Sequence, residues 1–308
     1  MRMLIVVAAV TLPTATLATQ ETNVGRAQLD RSKPVPAKSE IIAAWQKRQA
    51  AITSFRFAWT EDQLYPAGWL SNPRYPERER ASIPSLRTDR HYVVTKALAV
   101  AADNMRYTFE LDRPEEPDGV RVIAQHGGNQ GLGVHRRYTY MSVFDGRRGA
   151  VRVSSLLDDS PPPASRSIVA NIDAQNLDVR PIMMAFRPLD PVMGHLLIDR
   201  AVTNLARTFY RGKSTFLLEE RHDPSGWKTV LWIEPERDFL VSRYLLLFEQ
   251  QPIADVDIDY LEDARWGWIP SGWRVTAMLS DGSRRLVTTA KVTSYKINVA
   301  IGGEEFRP

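Results

Sequence analysis

The chain has 308 residues, of which 44% are hydrophobic and 25% charged, a balance that is typical of a globular protein and excludes extensive disorder. No cysteine is present, so disulfides, thiolate metal sites, a cysteine nucleophile and an acylated amino-terminal cysteine are excluded. The formal charge of +4 is a small excess, and the most basic stretch, residues 72–91, is interrupted by prolines and acids, which disfavours a nucleic-acid partner.

The amino terminus has the pattern of an export signal. Arg2 precedes the apolar run from Leu4 to Leu12, and small residues follow up to Ala18. This run is shorter than the roughly 20 residues that a membrane-spanning helix needs. We therefore expect export to the periplasm or another extracytoplasmic space. The expected segments are a cleavable signal peptide at 1–18, a polar, proline-containing tether at 19–38 and a single domain at 39–308.

The predicted domain begins with the stretch "SEIIAAWQKRQAAITSF", which has helical periodicity. Ser39 is a suitable N-cap, and Ile42, Trp45, Gln49 and Ile52 recur at three- and four-residue steps. The pattern predicts an amphipathic helix that packs one face against the rest of the domain.

Period-two alternation follows this helix. Phe55, Phe57 and Trp59 share one face of a predicted strand, and "NMRYTFELD", "RYTYMSVFDG" and "GAVRVSSL" are further strands, the last two flanking an Asp-Gly turn. Each strand has one apolar and one wetter face, which indicates a sheet covered on one side. Long loops are expected at about 62–90, 112–136 and 155–175.

A second helix is predicted at residues 190–206, with Asp190 as its cap and Pro191 in its first turn. Its apolar stripe consists of Met193, Leu196, Leu197, Ala201 and Leu205.

A run of strands joined by turns makes up the rest of the chain: "STFLLEER", "KTVLWIEP", "FLVSRYLLLFEQ", "ADVDIDYLED", "GWRVTAMLS" and "RLVTTAKVTSYKINV". In the stretch "RWGWIPSGWRV", Trp266 and Trp268 are expected to end one strand and Trp273 to start the next, across a tight turn at 270–272. The tryptophans can be sheet packing, a stacking platform for a ligand or a membrane anchor.

No internal repeat and no alternation of strands with helices is present, which disfavours a solenoid or a doubly wound parallel sheet. The predicted fold class is α+β: a strongly curved antiparallel sheet, forming a half-open β-barrel, with helices covering the concave face.

The sequence offers no catalytic or metal-binding motif, so neither an enzyme nor a cofactor is predicted. An exported hydrolase would need histidine and acidic residues gathered in a cleft. Asp255, Asp257 and Asp259 lie on one strand face and could bind a hard cation such as calcium. They are equally the pattern of the solvent face of an amphipathic strand, which is the interpretation we favour.

These elements, in this order, resemble the LolA-like proteins, a group that includes periplasmic lipoprotein carriers and stress sensors. The resemblance covers residues 39–299 and rests on "IIAAWQKRQAAITSF", the mid-chain Asp-Gly turn, "VLWIEPERDFLVSRY", "DIDYLEDARWGWIPSGWRV" and "VTSYKIN". Trp232, Ile233, Pro235 and Pro270 match recurring features of the group. It implies a half-open barrel whose mouth is covered by helices and whose apolar cavity takes acyl chains.

Two functions are consistent with these features. One is a non-catalytic exported protein that holds a lipid or lipoprotein acyl chain, with basic residues able to meet head groups of a membrane surface. The alternative is a periplasmic interaction or sensor module of the same fold, which contacts other envelope proteins and stores no ligand. The pocket residues predicted for the first function are Trp45, Phe57, Trp59, Trp232, Phe248, Trp268 and Trp273.

Overall fold

The computed structural model describes residues 35–67, 88–112, 137–145, 149–156, 165–169, 179–189, 202–222, 226–278 and 284–307. The predicted signal peptide and nearly all of the predicted tether lie outside these residues.

Two α-helices, two short 3₁₀ turns and thirteen strands are found within the described residues. The helices are α1 Lys38–Ala51 and α2 Arg180–Phe186, and the 3₁₀ turns are Pro235–Arg237 and Gly303–Phe306. The strands are β1 Ser54–Tyr65, β2 Arg90–Ala101, β3 Asn104–Asp112, β4 Arg137–Asp145, β5 Gly149–Leu156, β6 Ser165–Val169, β7 Val202–Tyr210, β8 Lys213–His222, β9 Trp227–Glu234, β10 Leu240–Phe248, β11 Gln251–Asp263, β12 Gly267–Met278 and β13 Arg284–Ile297.

These strands form one antiparallel sheet in the order β6-β5-β4-β3-β2-β1-β13-β12-β11-β10-β9-β8-β7. Strands β1 to β6 are one meander and β7 to β13 are another, and the two meanders pair where β1 meets β13. Because β6 and β7 lie at opposite edges, the sheet of described strands is not closed. The prediction of an open antiparallel sheet is confirmed.

The ten predicted strands are present, whereas β2, β6 and β7 were not predicted as strands. The expected loop at 62–90 is wrong at its start, because β1 continues to Tyr65, and β6 lies inside the loop expected at 155–175. In β2 the buried face includes Lys96 while Val93 on the other face is exposed, so hydrophobicity does not alternate with burial. Residues 68–87 and 113–136 of the expected loops lie outside the described residues.

Helix α1 confirms the predicted first helix, with two differences. Ala37 is its N-cap and makes no side-chain cap hydrogen bond, so Ser39 is not the cap. The helix buries Ile41 and Trp45, whereas Gln49 is only half-buried. The buried stripe is therefore rotated from the predicted one.

The helix predicted at 190–206 is wrong at its carboxy-terminal end, where β7 begins at Val202 and pairs with β8. Residues 190–201 lie outside the described residues. The second helix of the structure, α2, lies earlier in the chain, with Pro181 in its first turn and all seven residues buried. No helix in the described part of the chain is long and apolar enough to span a bilayer.

The two faces of the sheet differ in what packs on them. The inner face carries Phe55, Phe57 and Trp59 of β1, and the rings of Phe55 and Phe57 contact Phe186 of α2. The outer face is the opposite side, which carries Arg56 of β1. Directly paired residues on neighbouring strands share a face. The pairing with β1 therefore assigns the residues of the other strands to the inner or the outer face. The main buried cluster lies on the inner face and includes Ile41, Trp45, Leu98, Tyr107, Ile182, Leu231, Tyr244, Ile258 and Trp273.

The tryptophan-rich hairpin is arranged differently from its prediction. The turn between β11 and β12 lies at 264–266, while residues 270–272 are part of β12. Asp263 Oδ1 accepts hydrogen bonds from the backbone N–H groups of Arg265 and Trp266, both at 2.9 Å, and this arrangement stabilises the turn.

A β-bulge in β12 accommodates Pro270, because Ser271 is an extra residue relative to β11. Strand β13 pairs with β12 only from Gly272 onward, so on that side no neighbouring strand requires the N–H that proline lacks. Trp268 and Trp273 therefore lie on one strand, contrary to the prediction that a turn separates them.

Candidate functional site on the inner face of the sheet

Side-chain hydrogen bonds to backbone carbonyls attach α1 to the connection between β9 and β10. The indole N–H of Trp45 donates to the carbonyl oxygen of Phe239 at 2.7 Å, and Arg48 donates to the carbonyl oxygens of Arg237 and Asp238. Burial lowers the pKa of Arg48, and the nearby Asp238 carboxylate counteracts this effect. The helix is thus positioned by directional contacts as well as by apolar packing.

Arg187, which follows α2, links the two helices. Its guanidinium donates to the carbonyl oxygens of Gln49 and Thr53, both at 2.9 Å, and so satisfies acceptors at the end of α1. At the other end of α2, the Arg180 guanidinium lies 5.7 Å from the ring centroid of Tyr244 on β10. Both ends of this short helix are therefore held by arginine contacts.

Aromatic rings continue along the inner face away from α2. Trp59 lies between Trp273 of β12 and Tyr107 of β3, with ring centroids 5.4 and 6.1 Å apart. Further along, Phe109 and Tyr140 stack at 4.9 Å with an interplanar angle of 14°. Phe109 and Tyr140 are only half-buried, and burial raises the pKa of Tyr140. The apolar wall therefore extends from the buried core to partly exposed rings.

A buried ion pair lies within this wall. Lys96 Nζ is 2.6 Å from Glu61 Oε2, and the two side chains are 2% and 1% exposed. Glu61 also accepts hydrogen bonds from the indole N–H of Trp59 at 2.8 Å and from the Gln63 amide at 3.0 Å. The Lys96 ammonium lies 5.8 Å from the ring centroid of Phe109. Such a pair is tolerated because both charges are compensated and hydrogen bonded.

The sequence carries a signal for this pair in the alternation of β1. Glu61 continues the alternation of Phe55, Phe57 and Trp59, so it had to face inward if the strand was continuous. A charged residue at an inward position requires a buried partner. The identity of Lys96 as that partner depended on β2, which was not predicted.

Trp273 differs from its neighbour Trp59 in its hydrogen bonding. Its indole nitrogen is buried and has no hydrogen-bond partner, whereas the Trp59 nitrogen is bonded to Glu61. A buried donor without an acceptor is unusual and costs about 1–3 kcal/mol. The indole N–H of Trp273 is thus an unused hydrogen-bond donor beside the apolar side chains of the inner face.

The structure brings four of the seven predicted pocket residues together. Trp45, Phe57, Trp59 and Trp273 belong to the same buried cluster and are at most 2% exposed. They pack against protein side chains, and their role as ligand contacts stays a prediction.

Of the other three predicted pocket residues, Trp268 packs against this cluster from a half-buried position, whereas Phe248 and Trp232 are not part of it. Trp268 is half-buried under the Arg237 guanidinium, 4.2 Å from its ring centroid, and Phe248 contacts Trp227 at 5.0 Å near the end of β10. Trp232 pairs with Arg243 on the outer face, with the guanidinium 4.6 Å from its ring centroid. The sequence could not place Trp232 because both faces of β9 carry apolar residues, with Val230 and Trp232 on one and Leu231 and Ile233 on the other.

The three aspartates of β11 face arginines. Asp255 receives two hydrogen bonds from Arg243, at 2.8 and 2.7 Å, and Asp259 receives one from Arg211 at 2.6 Å. Burial and the neighbouring Asp259 raise the pKa of Asp257, while Arg274 counteracts this effect. These contacts agree with the interpretation of an amphipathic strand whose carboxylates have protein partners.

Among the described residues, no group of three or more histidine, aspartate or glutamate side chains is arranged to hold a metal ion. His91 is exposed and contacts Asp62 at 3.1 Å, while His126, His135 and His195 lie outside the described residues. The described inner face therefore offers apolar surface, the Glu61–Lys96 ion pair and the unused indole donor of Trp273.

No family model matches the chain, and no curated protein matches it. Among solved structures, a match is found to the crystal structure of a LolA superfamily protein from Nitrosomonas europaea. It covers 90% of this chain and 99% of that protein, with 10% sequence identity and a TM-score of 0.44.

Proposed function

We propose that this chain is an exported, non-catalytic binding protein that holds a lipid or lipoprotein acyl chain against the inner face of a half-open barrel, with α1 and α2 as its covering helices. The observation that carries this proposal is the buried indole N–H of Trp273, which has no acceptor in otherwise apolar surroundings. An acylated ligand supplies what this place lacks, because its ester or amide carbonyl is a hydrogen-bond acceptor attached to an apolar chain.

The aromatic wall provides the apolar part of the site. Each buried CH₂ group of an acyl chain contributes about 0.8 kcal/mol. Phe109 and Tyr140 offer partly exposed rings at which such a chain can begin to contact the wall, and Trp59 continues the wall toward Trp273. In this structure the surroundings of Trp273 are filled, so binding requires α2, which contacts β12, to shift.

The experiment compares Trp273→Phe with Trp232→Phe in two steps. Processed protein is first purified from the cell envelope, and its mass is measured under native conditions before and after lipid extraction. The extracted protein is then titrated with a fluorescent fatty acid methyl ester and with the matching hydrocarbon, which lacks the carbonyl. Trp273→Phe should lose the preference for the ester, whereas Trp232→Phe removes an indole from the outer face and should keep it.

A co-purifying acylated species, together with the loss of ester preference in Trp273→Phe alone, supports the proposal. A bare mass without binding of either probe overturns it. Equal ester binding by wild type and Trp273→Phe, with unchanged melting temperatures, removes the role of the indole N–H.

The second candidate is a periplasmic interaction or sensor module that contacts other envelope proteins and stores no ligand. It is favoured by one observation, the complete burial of Trp45, Phe57 and Trp59 by the protein's own side chains. It predicts the bare mass, and also a tryptophan emission spectrum that lipid extraction leaves unchanged.

A further inference from the structure

The register places three basic residues in one row across the outer face. Arg56 of β1 pairs directly with Lys296 of β13 on one side and with Ala99 of β2 on the other, and Ala99 pairs with Arg106 of β3. Neighbouring strands are about 4.8 Å apart, so the three cationic side chains leave the sheet within about 15 Å of each other. We name Lys296, Arg56 and Arg106 the basic row.

A second row, directly beside the basic row, consists of small residues. Ala58 of β1 pairs with Ser294 of β13 and with Ala97 of β2, and Ala97 pairs with Thr108 of β3. Because these side chains are short, they form the floor of a cleft of about 390 Å³ that the basic row borders. This volume is in the lower part of the range, roughly 300–1,000 Å³, of small-molecule sites.

The carboxy-terminal segment forms a further part of the cleft. Its 3₁₀ turn Gly303–Phe306 contacts β3 and β4, Phe306 is buried, and Glu305 makes a two-point ion pair with Arg56. Glu305 is the one acidic residue among the described residues that line the cleft. Arg106 and Lys296 have no ion-pair partner in the described structure.

This arrangement leaves positive charge uncompensated. Like charges directly opposite each other on paired strands are destabilising, and Lys296 and Arg56 are such a pair. Glu305 balances one of the three cations, which leaves two for an anion from outside. The donors of an arginine and a lysine on either side of a small-residue floor suit an anion with several acceptor oxygens.

We propose that this outer-face cleft binds a phosphoryl group that carries a small uncharged moiety, with Arg106 and Lys296 contacting the phosphoryl oxygens and the uncharged part resting on Ala58 and Ala97. The phosphoryl group can belong to a free phosphate ester or to a phospholipid head group. The site lies on the face opposite the proposed acyl-chain site and does not depend on it.

The test measures binding of glycerol phosphate by isothermal titration calorimetry at low ionic strength, with the full processed protein. Arg106→Gln and Lys296→Gln should each weaken binding by about ten- to a hundredfold, since each loses a hydrogen bond to a charged group. Glu305→Gln should strengthen binding several-fold, because it releases Arg56 to the ligand. Lys47→Gln, which removes one exposed cation on α1, is the matched control and should leave the affinity unchanged.

Vesicles distinguish the two sources of the phosphoryl group. Sedimentation with phosphatidylglycerol vesicles, compared with phosphatidylcholine vesicles, that is lost in Arg106→Gln and Lys296→Gln assigns the site to a lipid head group. Binding of glycerol phosphate without vesicle binding assigns it to a free phosphate ester. The proposal is overturned if neither probe binds, or if Lys47→Gln weakens binding as much as the cleft variants do.

Discussion

Strands β1, β2, β3 and β13 carry charged side chains, some on the inner face of the sheet and some on the outer face. On the inner face, Glu61 and Lys96 are almost completely buried, and Glu61 is bonded to Lys96 and to two further side chains. On the outer face, Arg56 is 38% exposed and paired with Glu305, while Arg106 and Lys296 have no ionic partner in the described structure. These neighbouring strands therefore have paired charges on the inner face and unpaired positive charges on the outer face.

The difference follows from the cost of desolvation. A buried charge without a partner costs several kcal/mol, so the inner pair must be complete in the folded protein. Water compensates a half-exposed cation at little cost, so the outer row can exist without a partner. A buried charge with an ionic partner indicates a structural role, whereas an unpaired cation beside a cleft is available to bind an anionic ligand.

The largest effect is expected from breaking the inner pair with Lys96→Met. This change leaves the Glu61 carboxylate buried without its counter-charge and should lower the free energy of unfolding by about 3–5 kcal/mol. Urea denaturation at pH 7 measures it. The double variant Glu61→Gln/Lys96→Met, in which neither charge remains, should recover much of the loss, and a single variant as stable as wild type would contradict the pairing.

The next largest effect is a difference in stability between Trp→Phe variants at two tryptophans of the inner face. Trp59→Phe removes the N–H that satisfies Glu61, whereas Trp273→Phe removes an N–H that has no acceptor. Both variants lose similar ring area, so Trp59→Phe should be the less stable of the two by about 1–3 kcal/mol. Thermal and urea unfolding provide the measurement, and equal losses would show that the bond to Glu61 contributes nothing.

A smaller effect, of opposite sign, is expected on the outer face for Asp257→Asn. Since burial and Asp259 raise the pKa of Asp257, its ionised form destabilises the folded state above that pKa. The variant should therefore be more stable than wild type at pH 7, by no more than about 1 kcal/mol. The gain should disappear as the pH falls below the ordinary aspartate pKa, where the carboxyl is neutral in both states. Urea unfolding between pH 3 and pH 8 follows this trend, and a gain that grows on acidification would contradict it.

The smallest effect is expected for Lys296→Gln in the basic row. Removing this cation relieves its repulsion with Arg56, so the free energy of unfolding should change by less than about 0.5 kcal/mol, in the stabilising direction. Urea denaturation without phosphate measures it. A large loss would mean that the cation is part of the folded structure rather than available to a ligand.

The sequence allowed most strands to be predicted because their burial follows a simple period. In β1, residues Phe55 to Gln63 alternate between buried and more exposed positions, and the residue types alternate in the same way until Glu61. Strand β2 escaped prediction because Lys96 occupies a buried position and Val93 an exposed one. The pattern method fails where a buried charge replaces an apolar residue.

Tertiary pairing explains the errors in the second half. The apolar residues from Val202 onward are also compatible with a helix, but pairing with β8 stabilises a strand instead. The residues Pro270, Ser271 and Gly272 suggested that the turn lies at 270–272. The turn lies instead at 264–266, where the Asp263 side chain stabilises it. A proline within β12 is compatible with the sheet because β13 pairs only beyond it.

The candidate site was predicted only in part. The apolar type of Trp45, Phe57, Trp59 and Trp273 was sufficient to place them in one cluster. Hydrogen-bond partners could not be predicted, because the contrast between Trp59 and Trp273 depends on which side chain reaches each indole. The basic row was inaccessible for the same reason, since its members come from three strands whose register is known only from the structure.

The pairing of β1 with β13 also has a consequence for how the chain folds. The Asn298 side chain, just beyond β13, accepts a hydrogen bond from the Thr53 N–H just before β1, across a separation of 245 residues. Each meander joins strands that are neighbours in sequence and can form early. The pairing of β1 with β13 between the two meanders can form only after β13 has been synthesised. Such distant closure slows folding. Until β13 is available, one edge of β1 therefore stays unpaired.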